Sequence, residues 1–122
     1  MSKSLNDAIR ALETAVAELN EYAKSGDPIL LRDTAEKGWL AVSKAVEALL
    51  RARGIDARTY RERRDTLSRL GLDYLRDRYA AKEKFLHIDC FYDGLYDEDF
   101  VRRKLDKVRE IIDEIRELIP RQ

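Results

Sequence analysis

The sequence predicts an all-α fold: an antiparallel, up-and-down bundle of about five helices, forming a single domain over residues 1–122. Three observations predict it. Long segments repeat apolar residues at steps of three and four, the spacing that gathers them on one helical face. Turn residues divide these segments, as at SGDP (25–28) and GIDAR (54–58). No segment alternates apolar and polar residues as a half-buried strand does.

The first helix is expected from about Leu5 to Lys24. Leu5, Ile9, Leu12, Val16, Leu19 and Tyr22 form one narrow seam, and Ser4 with Asp7 resembles a capping pair. The second, from Asp27 to Gly54, is the most apolar long segment and carries the only Trp. Asp27 suits its N-cap, Pro28 its first position and Gly54 its end. Leu31, Ala35, Trp39, Val42, Val46 and Leu49 recur at helical spacing, and Leu30, Ala41, Ala45, Ala48 and Leu50 widen that stripe. This helix should therefore touch neighbours on several sides. Gly38 in its middle costs helix stability unless another element approaches the backbone there.

A short third helix is expected over about Arg58 to Leu70, with a sparse apolar face of Tyr60, Leu67 and Leu70. Gly71 should stop it. Asp73 is expected to cap a fourth helix running to about Leu86, with Leu72, Leu75, Tyr79 and Leu86 inward. The aromatic-rich FLHIDCFYDGLYDED is expected to be irregular, with a turn at Gly94. Asp97 should cap the last helix, which runs to Ile119 before Pro120. Its seam is Val101, Leu105, Val108, Ile112, Ile115 and Ile119. The seams of the first and last helices exceed what one small bundle must hide, so a homodimer is expected.

Composition narrows the function classes. The 24 basic and 24 acidic residues balance, which argues against a wholesale polyanion binder. Their placement is uneven, with 11 basic against 7 acidic groups between residues 51 and 90. Charged residues make up 39% of the chain, and Asn and Gln are confined to Asn6, Asn20 and Gln122, a composition that fits a thermophile. No apolar run is long enough for a transmembrane helix. The first residues lack the apolar core of a signal peptide, so a cytoplasmic location is expected.

Candidate chemistry centres on His87, the only histidine. Near-neutral titration suits it to general acid/base work, while the simpler expectation is a polar residue satisfied at a helix end. A metal set of His87, Asp89, Cys90 and Asp93 lacks the shared face a closed site needs, so neither metal nor cofactor is expected. The arginines between Arg51 and Arg69 could neutralise phosphates, or form a solvated face paired with nearby acids. Zero net charge favours the second. Glu36 and Lys37, beside Trp39, read as a semi-buried pair or as surface.

Two stretches, TAEKGWLAVSKAVEALL (34–50) and EKFLHIDCFYDGLYDEDFVRRKLDKVREIIDEI (83–115), carry a resemblance. They resemble the HEPN clan of small helical bundles, and within it the archaeal PaREP group. The shared features are Glu36, Lys37 and Trp39 in the second helix, then Leu86 and His87 with the aromatic pair Phe91 and Tyr92 before a turn. The resemblance implies about five helices and frequent dimerisation. It also implies kinship with metal-independent ribonucleases and toxins partnered by small nucleotidyltransferases in toxin–antitoxin systems. Their active motif is an arginine, four to six residues, then a histidine. Here His87 matches, but Ala80, Ala81 and Lys82 stand at the arginine positions, and Lys82 lacks the planar fork of a guanidinium. The favoured expectation is thus an interaction or RNA-associated module without strong catalysis of its own. The alternative is a ribonuclease joining two His87 side chains across a dimer. There Lys82 would supply charge, Arg78 and Tyr92 would help, and Arg61 and Arg64 would hold the RNA backbone.

Overall fold

A computed structural model describes residues 3–95 and 97–119, with Tyr92 described through its backbone alone. Among these residues the regular structure is all helical. The order is α1 (Lys3–Ser25), α2 (Pro28–Ala52), α3 (Tyr60–Arg69), α4 (Asp73–Lys82), a π-helical segment (Glu83–Tyr92) and α5 (Glu98–Leu118). α1 and α2 pack antiparallel across the largest interface, and α5 lies against both.

The caps explain most boundaries. The Asp27 side chain accepts a hydrogen bond from the Ile29 N–H at 3.0 Å, with Pro28 opening α2. Gly54, at φ +75°, turns the chain out of that helix, and the Ile55 N–H reaches back to the Leu50 carbonyl at 2.9 Å. Only glycine takes that left-handed conformation without strain. Asp97 caps α5 by accepting from the Phe100 N–H at 3.0 Å. Thr59, which the sequence reading passed over, caps α3 by accepting from the Glu62 N–H at 3.0 Å. It delays that helix by two residues from the expected start at Arg58. Asp73 is the first residue of α4 rather than its cap; Leu72 holds that position and supplies no side-chain bond. Ser4 lies inside α1, as its second residue, rather than before it. The expected stop at Pro120 lies outside the described residues.

The core is built around α2. Trp39, Val42, Val46, Leu49 and Leu50 are buried, with Ala35, Ala41, Ala45 and Ala48 between them. α1 meets it through Leu5, Leu12 and Leu19 and through two alanines, Ala8 and Ala15. Ile9 and Val16, expected in the seam, are half-buried at its edge. Small residues let helix axes approach closely, and the alanines on both helices supply that here. Val101, Leu105, Val108, Ile112 and Ile115 of α5 are likewise buried within the chain. Most of both seams is thus buried inside one bundle, while Ile29, Leu40, Tyr74, Ile88 and Leu95 remain exposed outside them. No helix among the described residues is long and apolar enough to cross a membrane.

Gly38 marks where α5 and the π segment close on α2. A Cβ there would stand 2.6 Å from Leu105 Cδ2 and 3.4 Å from Leu86 Cδ1. Alanine normally stabilises a helix interior over glycine by about 1 kcal/mol. Overpacking against two buried leucines costs about 1–3 kcal/mol. Gly38→Ala is therefore expected to lower stability by about 1 kcal/mol. A urea midpoint unchanged or raised would mean the leucines swing aside freely.

The stretch expected to be irregular is π-helical from Glu83 to Tyr92. In this wider turn each N–H bonds five residues back, as the Asp93 N–H does to the Ile88 carbonyl at 3.1 Å. The same spacing brings Lys84 Nζ to Asp89 Oδ1 at 2.9 Å. Arg32 fastens the far end to α2, donating from Nε to the Phe91 carbonyl at 2.7 Å. The turn at Gly94 follows as expected, at φ +66°.

Candidate functional site

His87 points from the π segment onto α2. Its Nδ1 lies 2.7 Å from Glu36 Oε1, and both side chains are mostly covered, at 16% and 22% exposure. A carboxylate can only accept, so the Nδ1–H donates. Aromatic rings enclose the pair. Trp39, fully buried, stacks on Tyr79 at 4.9 Å and meets the edge of Tyr60 at 4.9 Å. The imidazole lies 5.8 Å from the Trp39 ring, 5.9 Å from Tyr60 and 6.2 Å from Phe91, nearly parallel to the last. Glu36, Trp39, His87 and Phe91 thus meet in one cluster at the α2–π contact. Leu86 is buried beside them.

Lys37 does not join this cluster or pair with Glu36. It turns to α1 and pairs with Glu18. Successive helix residues diverge by about 100°, so neighbours in sequence rarely share a partner. That rule excludes the Glu36–Lys37 pair, and it was the available signal.

Lys82 faces elsewhere. It ends α4, is only 5% exposed, and is surrounded by charges of α5 and α4 rather than by α2 or α3. Burial, together with the positive charges of Lys104, Lys107 and Arg78, pushes its amine down from 10.5 to about 8. Arg78 pairs with Glu114 of α5. Arg64 pairs with Glu83, and Arg61 stands exposed, 3.9 Å from Asp65. Of the residues expected to act together, Lys82 and Arg78 share the α4–α5 seam. His87 sits apart from them, and Arg61 and Arg64 belong to α3. The role expected for the Tyr92 side chain lies outside the described residues. Among the described residues no group of His, Cys, Asp and Glu could hold a metal ion, and Cys90 is a buried thiol.

The sequence reading missed a second polar network. Arg63, counted only as one of the α3 arginines, turns inward. Its Nη1 donates to Ser43 Oγ at 2.7 Å, its Nε donates to the Ala57 carbonyl at 3.1 Å, and Glu47 lies 3.9 Å away. Ser43 in turn shares a hydrogen bond with the Tyr79 hydroxyl at 3.1 Å. Burial raises the Tyr79 pKa, so the phenol stays protonated. An open groove of 490 Å³ lies in front of this network, lined by Leu40, Lys44, Glu47, Arg58, Tyr60 and Arg63. Arg51, Arg58, Arg61, Arg63 and Arg64 each have an acid within ion-pair distance, so this basic run is largely self-neutralised.

Fold and site together define an antiparallel helical bundle whose π-helical segment docks a histidine–glutamate pair against a central tryptophan. Comparison with protein-family models, with curated proteins and with solved structures finds no match.

Proposed function

We propose that this chain is a small HEPN-like helical interaction module that works without catalysis of its own. The observation that carries the reading is how His87 is used. Metal-free RNA cleavage needs a base for the 2′-hydroxyl, an acid for the leaving oxygen and positive charge on the phosphorane. His87 instead ties the π segment to α2 through Glu36, under the rings of Trp39, Tyr60 and Phe91. Lys82, the cation that would serve the phosphorane, is turned to α5. The residues shared with the HEPN pattern are therefore spent on holding two helical elements together. Partners of the kind that clan uses, a small nucleotidyltransferase or RNA, remain part of this proposal. So does a second copy of the chain, which would meet it through exposed side chains such as Ile29, Leu40 and Leu95.

The test is incubation of purified protein with structured and single-stranded RNA in EDTA. No cleavage above background is expected from the wild type, and none from His87→Ala. Cleavage that persists through purification and disappears in His87→Ala, with the helical signal and molecular mass retained, would replace this reading by a ribonuclease. Light scattering on the same samples reads the mass of any self-assembly.

A further inference from the structure

Lys82 is the only buried basic residue among the described residues. Two cross-links fix what faces it. Toward the start of α4, Arg78 pairs with Glu114 of α5; beyond its end, Phe85 meets the edge of Phe100 at 5.8 Å. α4 and the π segment therefore run antiparallel to α5 between these two ties. Lys82 lies between Arg78 and Phe85, so it faces the stretch between Phe100 and Glu114. Of the charged residues in that stretch, Lys104, Lys107 and Glu110 are the ones that act on Lys82.

Arg78, Lys82, Lys104 and Lys107 thus line this seam with two carboxylates, Glu110 and Glu114. Glu114 Oε1 serves Arg78 while its Oε2 is buried without a hydrogen-bond partner among the described residues, and Glu110 lies 3.5 Å from Lys107 Nζ. Lys104 Nζ rests over the rings of Phe85 and Phe100, at 4.7 and 5.0 Å. Among the described residues neither Lys82 nor Lys104 has a carboxylate within ion-pair distance. Two like charges at close quarters, one of them buried, repel each other and lose solvation. Counting Arg78, Lys82, Lys104 and Lys107 against Glu110 and Glu114, these seam groups carry two more cations than carboxylates.

We infer that the α4–α5 seam is a binding site for a doubly charged phosphate group, with Lys82 and Lys104 as its principal ligands and Arg78 and Lys107 at its rim. The charge count selects the class. A surplus of two is matched by one dianion, such as inorganic phosphate or a phosphate monoester, whose second ionisation lies near pH 6. An internal phosphodiester of RNA carries a single charge and leaves half the surplus unbalanced. Lysine binds phosphate as a point charge and needs no planar fork, so the absence of arginine from the two central positions is no obstacle. The site is independent of His87 and stands or falls apart from the proposal that the chain is non-catalytic.

The experiment is calorimetric titration of the purified chain at pH 8 with inorganic phosphate, with glycerol phosphate and with a hydroxyl-ended RNA oligonucleotide. Ionic strength is held constant with chloride. Saturable binding of both phosphates is expected, weakened at least tenfold by Lys82→Met and by Lys104→Gln. A dianion beside Lys82 should also draw a proton onto its amine. Binding heats in buffers of different ionisation enthalpy should then report proton uptake in the wild type, and less in Lys82→Met. Binding of the hydroxyl-ended RNA but of neither phosphate would overturn the assignment in favour of a polyanion surface. Phosphate binding that is equal in the wild type and both variants, or absent altogether, would overturn the site itself.

Discussion

Trp39→Ala is expected to destabilise the fold by about 3–5 kcal/mol, the range for deleting a large aromatic from a packed core. Trp39 is completely buried near the middle of α2, and its ring is the surface on which Tyr60, Tyr79 and His87 converge. Those residues come from α3, α4 and the π segment, so one deletion loosens three elements from the central helix at once. The cavity would sit where Glu36 and His87 dock, so the π segment should lose protection from hydrogen exchange first. Trp39 Nε1 has no hydrogen-bond partner among the described residues. A buried donor left unmade costs about 1–3 kcal/mol, so Trp39→Phe removes a liability along with some packing. It should cost clearly less than the alanine change. Urea denaturation followed by circular dichroism reads both variants. Equal losses for the two would mean the indole N–H has a partner, and a negligible loss for alanine would place Trp39 outside the core.

Much of this architecture could be read from residue spacing because local rules fixed it. Asp27 and Asp97 each precede an apolar repeat by the interval an N-cap requires, and both cap as expected. The repeat on α5 names its buried face nearly residue for residue. On α1 the larger Ile9 and Val16 suggest the seam, while close packing selects Ala8 and Ala15. The π segment resisted for a deeper reason. Its i to i+5 bonding matches neither the helical nor the strand period, so Leu86, Ile88, Cys90 and Phe91 look irregular under both templates. Lys82 and His87 stand five residues apart, roughly 140° around a continuous α-helix, so helical spacing alone sets them on different faces. In the fold they serve different neighbours, Lys82 facing α5 and His87 facing α2. The Glu36–His87 contact joins residues 51 apart. No spacing rule reaches that far, although Glu36, Trp39 and His87 were all singled out by their resemblance to one motif.

Lys82→Met is expected to stabilise the protein at pH 7 and to lose most of that advantage at high pH. The side chain is buried, and methionine has similar length without the charge. Burial first, and then the neighbouring Lys104, Lys107 and Arg78, lower the Lys82 pKa from 10.5 to about 8 in the folded chain. The folded state therefore binds this proton more weakly than the unfolded state does. Below pH 8 both states hold it, and the fold bears the full cost of a buried ammonium, on the order of 3 kcal/mol. Between about 8 and 10.5 the unfolded chain holds more of the proton than the folded one, so stability through this group rises with pH. Above 10.5 the amine is neutral in both states and the cost is gone. Other groups titrate over the same range, so the informative quantity is the difference between variant and wild type at each pH. Denaturation midpoints at pH 7 and pH 10.5, in chloride without multivalent anions, should show a large gain shrinking toward the small effect of a conservative core substitution. A gain that stays constant with pH would assign it to packing alone. A loss at pH 7 would mean that the Lys82 charge is already balanced in the fold, and the surplus of positive charge between α4 and α5 would not exist.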